Sequence, residues 1–323
     1  MSMRHCVGLI INPMAGRDIR RLVAAASLQS GPEKALVGKR IMAGIRAVSG
    51  VEVLVPQDQH GFFEWLKDEV ARDMTIRVVP RTLGEDDSTS LWVKMLVDAG
   101  AEALVVVGGD GTQRNVAQAS PSVPVLPIAG GTNNVACYLG DQTAAGYAVA
   151  RYLVDRRDPL DVGFMAKLLH VELPGGREEL ALVDVALTRQ NYTGAMAIWD
   201  SLDVYELILA MADGVRPGLS NVGGYLDPVH PLDDWALRLT MRDGGRKAPA
   251  VLAPGLMAWF SVERQARVAL EEVVTLTASG QGSSLALDGE RTVVLQKGQA
   301  AQVRLRRDGP YMLDPARILR PQK

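Results

Sequence analysis

Cysteine and histidine are scarce in this sequence, with two of the one and four of the other in 323 residues. Cys6 and Cys137 lie among apolar neighbours, so there is no disulfide scaffold, and a reducing compartment fits. Both are expected to be buried, unreactive thiols. His5, His60, His170 and His230 are scattered without metal-ligand spacing, which argues against a zinc site. An excess of either charge is also missing. The 35 Lys and Arg against 37 Asp and Glu give a net charge of -2, with no long basic stripe. Nucleic acid is therefore not an expected partner. No apolar run reaches the length of a membrane span. "MSMRHCVGLIINP" has one Arg and then a short run stopped by Asn12-Pro13, shorter than a signal-peptide core. It fits a first buried strand, and a cytoplasmic location is expected. The Walker spacing G-x-x-x-x-G-K-[S/T] is absent, and no G-x-G-x-x-G follows a strand pattern. Internal repeats and low-complexity tracts are missing as well.

What is present is 47% hydrophobic residues in a chain long enough for more than one domain. Continuous apolar runs in the first half predict buried strands at 6–12, 51–56, 75–80, 103–109 and 123–129. Helical patterns separate them, among them 61–74 and 88–100, the second opening on capping residues and ending in Gly. Alternating strands and helices predict an α/β, doubly wound parallel sheet. Beyond about residue 158 the pattern changes to closely spaced strands divided by turns, at 179–189, 235–245, 272–280, 284–296 and 301–309. These predict a mainly antiparallel β domain, interrupted by one helix at 200–214. "VDRRDP" (154–159) serves as the joint, dividing the chain into domains 1–157 and 158–323.

The chemistry concentrates in loops that follow strands. In "VVVGGDGTQRNVA" (105–117), Gly108, Gly109 and Gly111 allow backbone conformations or close approaches that a side chain forbids. A helix starting near Thr112 turns its free N–H groups and positive dipole end toward the loop, which favours phosphate. Asp110 opposes phosphate, and two arrangements resolve the conflict. The carboxylate can help hold Mg2+, directly or through water. It can also accept the proton of an attacking hydroxyl during phosphoryl transfer. Both require it within reach of an alcohol and a triphosphate; the plain alternative is a helix N-cap. "PIAGGTNNVACYLG" (127–140) has Gly130 and Gly131 for close approach, and Thr132, Asn133 and Asn134 to suit ribose hydroxyls or adenine edges. The alternative there is a capped helix start. "INPMAG" (11–16) places Asn12 and Gly16 on a third rim. Arg17, Arg20 and Arg21 follow, available to phosphates or solvated as a first helical turn. "LDGE" (287–290) carries the acids Asp288 and Glu290, and its Asp-Gly pair predicts a hairpin turn.

Taken in order, "INPMAG", "GGDGT", "GGTNN" and "LDGE" resemble the superfamily of NAD kinases, diacylglycerol kinases and sphingosine kinases. The longer segments "LIINPMAGRDIRRL", "ALVDVALTR", "GLSNVGGYLDPV" and "LALDGER" are similar to the AcoX-type ATP-NAD kinase family, whose name comes from acetoin catabolism. The resemblance covers nearly the whole chain. It implies a Rossmann-like first domain, a β-sandwich-like second domain and an active site between them. It implies that Gly109, Gly111 and Thr112 bind nucleotide phosphates and that Asp110 is the catalytic or Mg2+-linked acid. Asn12 would lie on the nucleotide cleft, with Asn133 and Asn134 contacting adenosine or NAD. Asp288 and Glu290 correspond to the segment that supplies a second acid in the lipid kinases. The chain departs from those kinases at Gln113, Arg114 and Asn115, where they carry Asn-Glu, and at Val135, where they carry an acid.

These features imply an ATP- and Mg2+-dependent phosphotransferase acting on a small-molecule hydroxyl, with NAD the leading acceptor and a lipid or other alcohol second. The competing expectation is a non-catalytic nucleotide-binding regulator linked to acetoin catabolism. An oxidoreductase finds no dinucleotide fingerprint or hydride-transfer constellation. A homodimer is the expectation from the symmetry of most oligomers.

Overall fold

The computed structural model describes residues 4–13, 15, 31–70, 74–81, 87–119, 123–189, 203–279, 283–289 and 291–321. In the first half, β1 (His5–Ile11), β2 (Val51–Pro56), β3 (Ile76–Val79), β4 (Ala103–Gly108) and β5 (Val125–Ala129) alternate with helices. These are α1 (Gly31–Arg46), α2 (Phe62–Val70), α3 (Thr89–Asp98), α4 (Asp110–Ala119) and α5 (Gln142–Val154). The short α6 (Pro159–Val162) leads to β6 (Gly163–Met165), β7 (Leu168–Glu172), β8 (Glu178–Ala181), β9 (Asp184–Thr188) and β10 (Val204–Leu209). After α7 (Asn221–Gly224) come β11 (Trp235–Ala253), β12 (Leu256–Ala269), β13 (Val273–Thr277), β14 (Ser283–Leu287), β15 (Arg291–Leu295), β16 (Ala300–Arg306), β17 (Tyr311–Leu313) and α8 (Pro315–Ile318).

The first sheet runs β3-β2-β1-β4-β5, every neighbouring pair parallel. β4 is buried along its whole length, because helices cover both faces. The winding reverses between β1 and β4, and ligands on such sheets bind beyond the strand ends at that reversal. The Ser88 hydroxyl caps α3 by accepting from Leu91 N–H at 3.2 Å, and Gly100, at φ +95°, ends it. α1 and α5 meet through glycines: a Cβ on Gly146 would stand 2.0 Å from the Ile41 carbonyl oxygen.

The sheet continues beyond β5 with β17, parallel to it, and then β6, antiparallel to β17. The sequence division at 157/158 is thus not a division of sheets, since β6 and the chain's last strand complete the first one. The remaining strands form a six-stranded sheet, β12-β11-β10-β9-β14-β15, and a four-stranded one, β13-β16-β7-β8. Leu169, Leu276 and Val303 of the smaller sheet pack on Val185, Ile208 and Leu285 of the larger, giving an antiparallel sandwich. A further core lies on the back of the larger sheet, where Leu207, Leu209 and Leu237 meet Val222 and Phe260.

Two expectations are corrected. The helix expected at 200–214 is instead strand β10 in its described part. β10 is buried on both faces, with Ile208 in one core and Leu207 and Leu209 in the other. Such a strand shows no alternation, and its short apolar run mimics a buried helix. The single strand expected at 179–189 is two, β8 and β9, which lie in different sheets. No helix among the described residues is long and apolar enough to cross a membrane.

Candidate functional site

Strands β1, β4 and β5 deliver three loops to one end of the sheet. Asn12 follows β1 and donates its backbone N–H to Val107 O at 3.0 Å and its side-chain amide to Thr112 Oγ1 at 2.8 Å. Thr112 is buried in the first turn of α4. The first and second loops are thus joined by side chains 100 positions apart.

The glycines at 108–109 and 130–131 do not take left-handed φ values, unlike ten other glycines among the described residues. Their requirement is steric. A Cβ on Gly108 would lie 2.5 Å from the Thr112 side chain. One on Gly131 would lie 2.5 Å from Gly109 Cα, and one on Gly109 would lie 2.8 Å from Asn133 O. The glycine loops after β4 and β5 therefore cross in backbone contact, and the close approach expected of a ligand is here the approach of one loop to the other.

Asp110 is the stitch between them. Its N–H donates to Asn133 O at 3.1 Å, and its carboxylate accepts Val135 N–H at 3.0 Å and Ala136 N–H at 2.9 Å. The side chain is only 2% exposed. An acid open to an incoming alcohol is therefore not the arrangement of this conformation: both carboxylate oxygens face peptide N–H groups of the neighbouring loop. Asn134 likewise serves its own turn, its Oδ1 accepting from Gly130 and Gly131 N–H and its Nδ2 donating to Gly131 O at 2.7 Å. Asn133 is buried with its amide beside Gly218 of the β-rich half, and Thr132 is half-buried. The helix expected to start at this loop starts later, at Gln142, capped by Asp141, which accepts Ala144 N–H at 2.8 Å. Its dipole therefore does not serve Gly130 and Gly131.

The "LDGE" segment is a turn between β14 and β15, with Leu287 opposite Arg291. Asp288 adopts φ +50°, which short polar residues tolerate. Its carboxylate points inward and accepts the N–H groups of Leu182, Val183 and Asp184 at 3.0, 2.8 and 3.2 Å, where the chain crosses between the sandwich sheets. Burial pushes its pKa up against the opposing pull of the Arg114 guanidinium and those N–H donors. A second acid lining the cleft is thus not what Asp288 provides; it is 1% exposed and organises the strand crossing. Arg114, on α4, donates to Leu287 O at 3.1 Å and so docks the β14–β15 turn onto that helix. Gly16, Arg17, Arg20, Arg21 and Glu290 lie outside the described residues.

Nothing in the sequence pattern marks three further residues. Buried Lys34 donates to the carbonyls of Pro13 and Ala15 and so holds the turn after β1. Lys167, 1% exposed, donates to Trp235 O at 2.8 Å and His230 O at 3.3 Å. Arg216 reaches from the β-rich half to Asn134, Val135 and Cys137 carbonyl oxygens at 3.0, 2.8 and 2.6 Å. Only contacts more than 60 residues apart in sequence reveal the last two roles. Beside Arg216 a cavity of about 490 Å3 opens between Val135 on one side and Asp213, Tyr225 and His230 on the other. A smaller one of about 200 Å3 adjoins it at Cys137, Phe164 and Met312. A groove of about 560 Å3 at Tyr147, Arg151 and Arg320 borders none of the three loops.

No three acidic, histidine or cysteine side chains among the described residues are grouped to hold a metal ion. The donor set fits Mg2+ only as Mg2+ is held beside phosphates, by one carboxylate and otherwise by ligand oxygens and water.

Residues 7–155 match the family model of the ATP-NAD kinase N-terminal domain, and residues 167–308 match that of the acetoin catabolism protein X C-terminal domain. The chain is 29% identical to acetoin catabolism protein X of Cupriavidus necator over 330 residues, covering 97% of this chain and 91% of that protein. The crystal structure of yeast NADH kinase complexed with NADH matches with a TM-score of 0.56 at 15% identity, over 97% of this chain and 84% of that one. At that identity the likeness is one of fold.

Proposed function

From a chain whose first part matches the ATP-NAD kinase N-terminal domain and whose second matches the C-terminal domain of acetoin catabolism protein X, we propose an ATP-dependent phosphotransferase with a small-molecule hydroxyl as acceptor. NAD is the leading acceptor, and the cytoplasm the expected place of action. The observation that carries this reading is convergence. The loops of Asn12, Asp110 and Asn133 meet at the carboxyl ends of β1, β4 and β5, and the cavity of about 490 Å3 opens against Val135 of the third loop. That volume lies within the usual range of small-molecule sites.

In this reading the first turn of α4, with Gly111 and Thr112, offers N–H groups to a phosphate. Mg2+, when bound with the triphosphate, supplies charge neutralisation of the transferring group. Asp110 holds the two glycine loops in register. To take the acceptor's proton it must give up or share an N–H bond, for which a carboxylate has spare lone pairs.

The burial of Asp110 favours a second reading, a nucleotide-binding regulator without turnover. An acceptor screen with labelled ATP, run on wild type and Asp110→Asn, separates the two. Product with NAD, reduced at least about a hundredfold by the substitution, supports the kinase. Thermal stabilisation by ATP, NAD or NADP, with and without Mg2+, and no product on long incubation supports the regulator.

A further inference from the structure

Residues 134–137 are gripped from both halves of the molecule. From the parallel-sheet side, the Asp110 carboxylate takes Val135 and Ala136 N–H at 3.0 and 2.9 Å. From the β-rich side, Arg216 Nη1 donates to the oxygens of Asn134, Val135 and Cys137 at 3.0, 2.8 and 2.6 Å. The Asn134–Val135 and Val135–Ala136 peptides therefore each present a carbonyl to the guanidinium and an N–H to the carboxylate. Their dipoles lie between the two charged groups with the favourable sign at each end. A buried acid and a partly buried base thus stabilise one another without touching, through two peptide units.

The guanidinium is itself braced. Asp213 accepts its Nε–H at 3.2 Å. Asn221 Nδ2 donates to Arg216 O at 3.0 Å, and Asn221 Oδ1 accepts Val251 N–H from β11 at 2.7 Å. Arg216 also borders both cavities beside the loops, with Val135, Met211 and Pro231 common to their walls.

We infer that Arg216 is a positioning residue for Asp110, acting through the 134–137 peptides, and that it makes the geometry of the GGDGT loop depend on closure of the β-rich half. Its effect on turnover rests on the proposed phosphotransferase reading; the coupling itself does not.

Cys137 supplies a ligand-free readout. It is 2% exposed, its thiol donates to Gly108 O at 3.4 Å, and burial and the Asp110 charge push its pKa well up. In a Cys6→Ala background it is the one thiol in the chain, so its labelling by an aromatic disulfide reports opening of this segment. Arg216→Met is expected to speed labelling at least about tenfold, with Arg216→Lys intermediate, because one ammonium replaces part of the donor fork. Amide exchange of a 131–140 peptide should rise in the same order. Leu239→Ala, in the core of the β-rich half and matched for lost melting temperature, controls for general loosening. Coupling requires the double variant Asp110→Asn/Arg216→Met to open less than the product of the single effects. Labelling no faster than in Leu239→Ala, or effects of the two substitutions that simply multiply, overturns the inference. If Arg216→Met does not fold, Arg216→Lys and Asp213→Asn take the same measurements. None of these uses a nucleotide, so absence of phosphoryl transfer with the coupling intact removes only the proposed function. Where transfer occurs, Arg216→Met should lower kcat more than it changes KM, with Arg216→Lys recovering part of the loss.

Discussion

At the scale of the residue, the two buried acids of the loops after β4 and β14 act on backbone. Asp110 and Asp288 each collect peptide N–H groups from a segment distant in sequence, and such bonds are costly to leave unmade once buried. Asp288→Ala strands three N–H groups at the crossing between β8 and β9 and is expected to cost about 3 kcal/mol or more, read from urea unfolding. The buried lysine carries a different signature. Burial and the nearby Arg307 lower the Lys167 pKa from 10.5 to about 8, with Asp233 and Asp234 opposing. The folded state then releases this proton more readily than the unfolded one. Between about pH 8 and 10.5 the unfolded chain binds more protons, so this group's contribution to unfolding free energy rises with pH and is flat below about 8. The difference in stability between wild type and Lys167→Met should grow in favour of wild type across that window. A difference independent of pH would mean that Lys167 keeps an ordinary pKa.

At the scale of the element, small residues decide how closely loops and helices meet. Gly131→Ala sets a methyl 2.5 Å from Gly109 Cα, so the two loops must part. The expected cost is about 1–3 kcal/mol in a melting experiment. Any ligand-induced shift in melting temperature from ATP or NAD should be lost along with it. Gly146→Ala meets backbone at 2.0 Å between α1 and α5 and should destabilise the fold without this selective loss of binding. Much of this level was legible in advance: "VEVLVP" is β2 residue for residue, and Ser88 caps α3 as its sequence indicates. β10 was not, because a strand buried on both faces has no polar face to reveal its period. The start of α5 was hidden too, since residues 131–140 form an irregular segment whose Thr132, Asn133 and Asn134 imitate a helix cap ahead of the actual cap, Asp141.

At the scale of the whole molecule, the last strand settles the architecture. β17 inserts between β5 and β6, so the first sheet is complete only when the chain has passed through the sandwich and returned. Arg317 adds to the closure by donating to Gly163 O at 3.1 Å, and Arg157 by donating to Ile318 O at 3.0 Å. Multidomain chains commonly unfold in steps. Here far-UV circular dichroism should instead melt in a single transition coincident with fluorescence from the five tryptophans, of which Trp65 and Trp92 lie in the first half and Trp235 and Trp259 in the second. Two separated transitions would mean that the sandwich folds independently of the sheet. Ending the chain at residue 310 removes β17 and α8 and should abolish the cooperative transition.

The sequence alone determined the local grammar of this protein. Runs of β-branched residues become buried strands, capping residues begin helices, and glycines stand where strand meets helix, because those preferences act over a few bonds. It also marked Asn12, Asp110 and Asn133 as neighbours through the order of their loops. Tertiary structure alone decided where the carboxylates point, which strands share a sheet and that Arg216 grips the loop of Asn134 from the other half of the chain. Those outcomes depend on polar groups 25 to 106 residues apart satisfying one another out of water, and no local pattern encodes such a pairing.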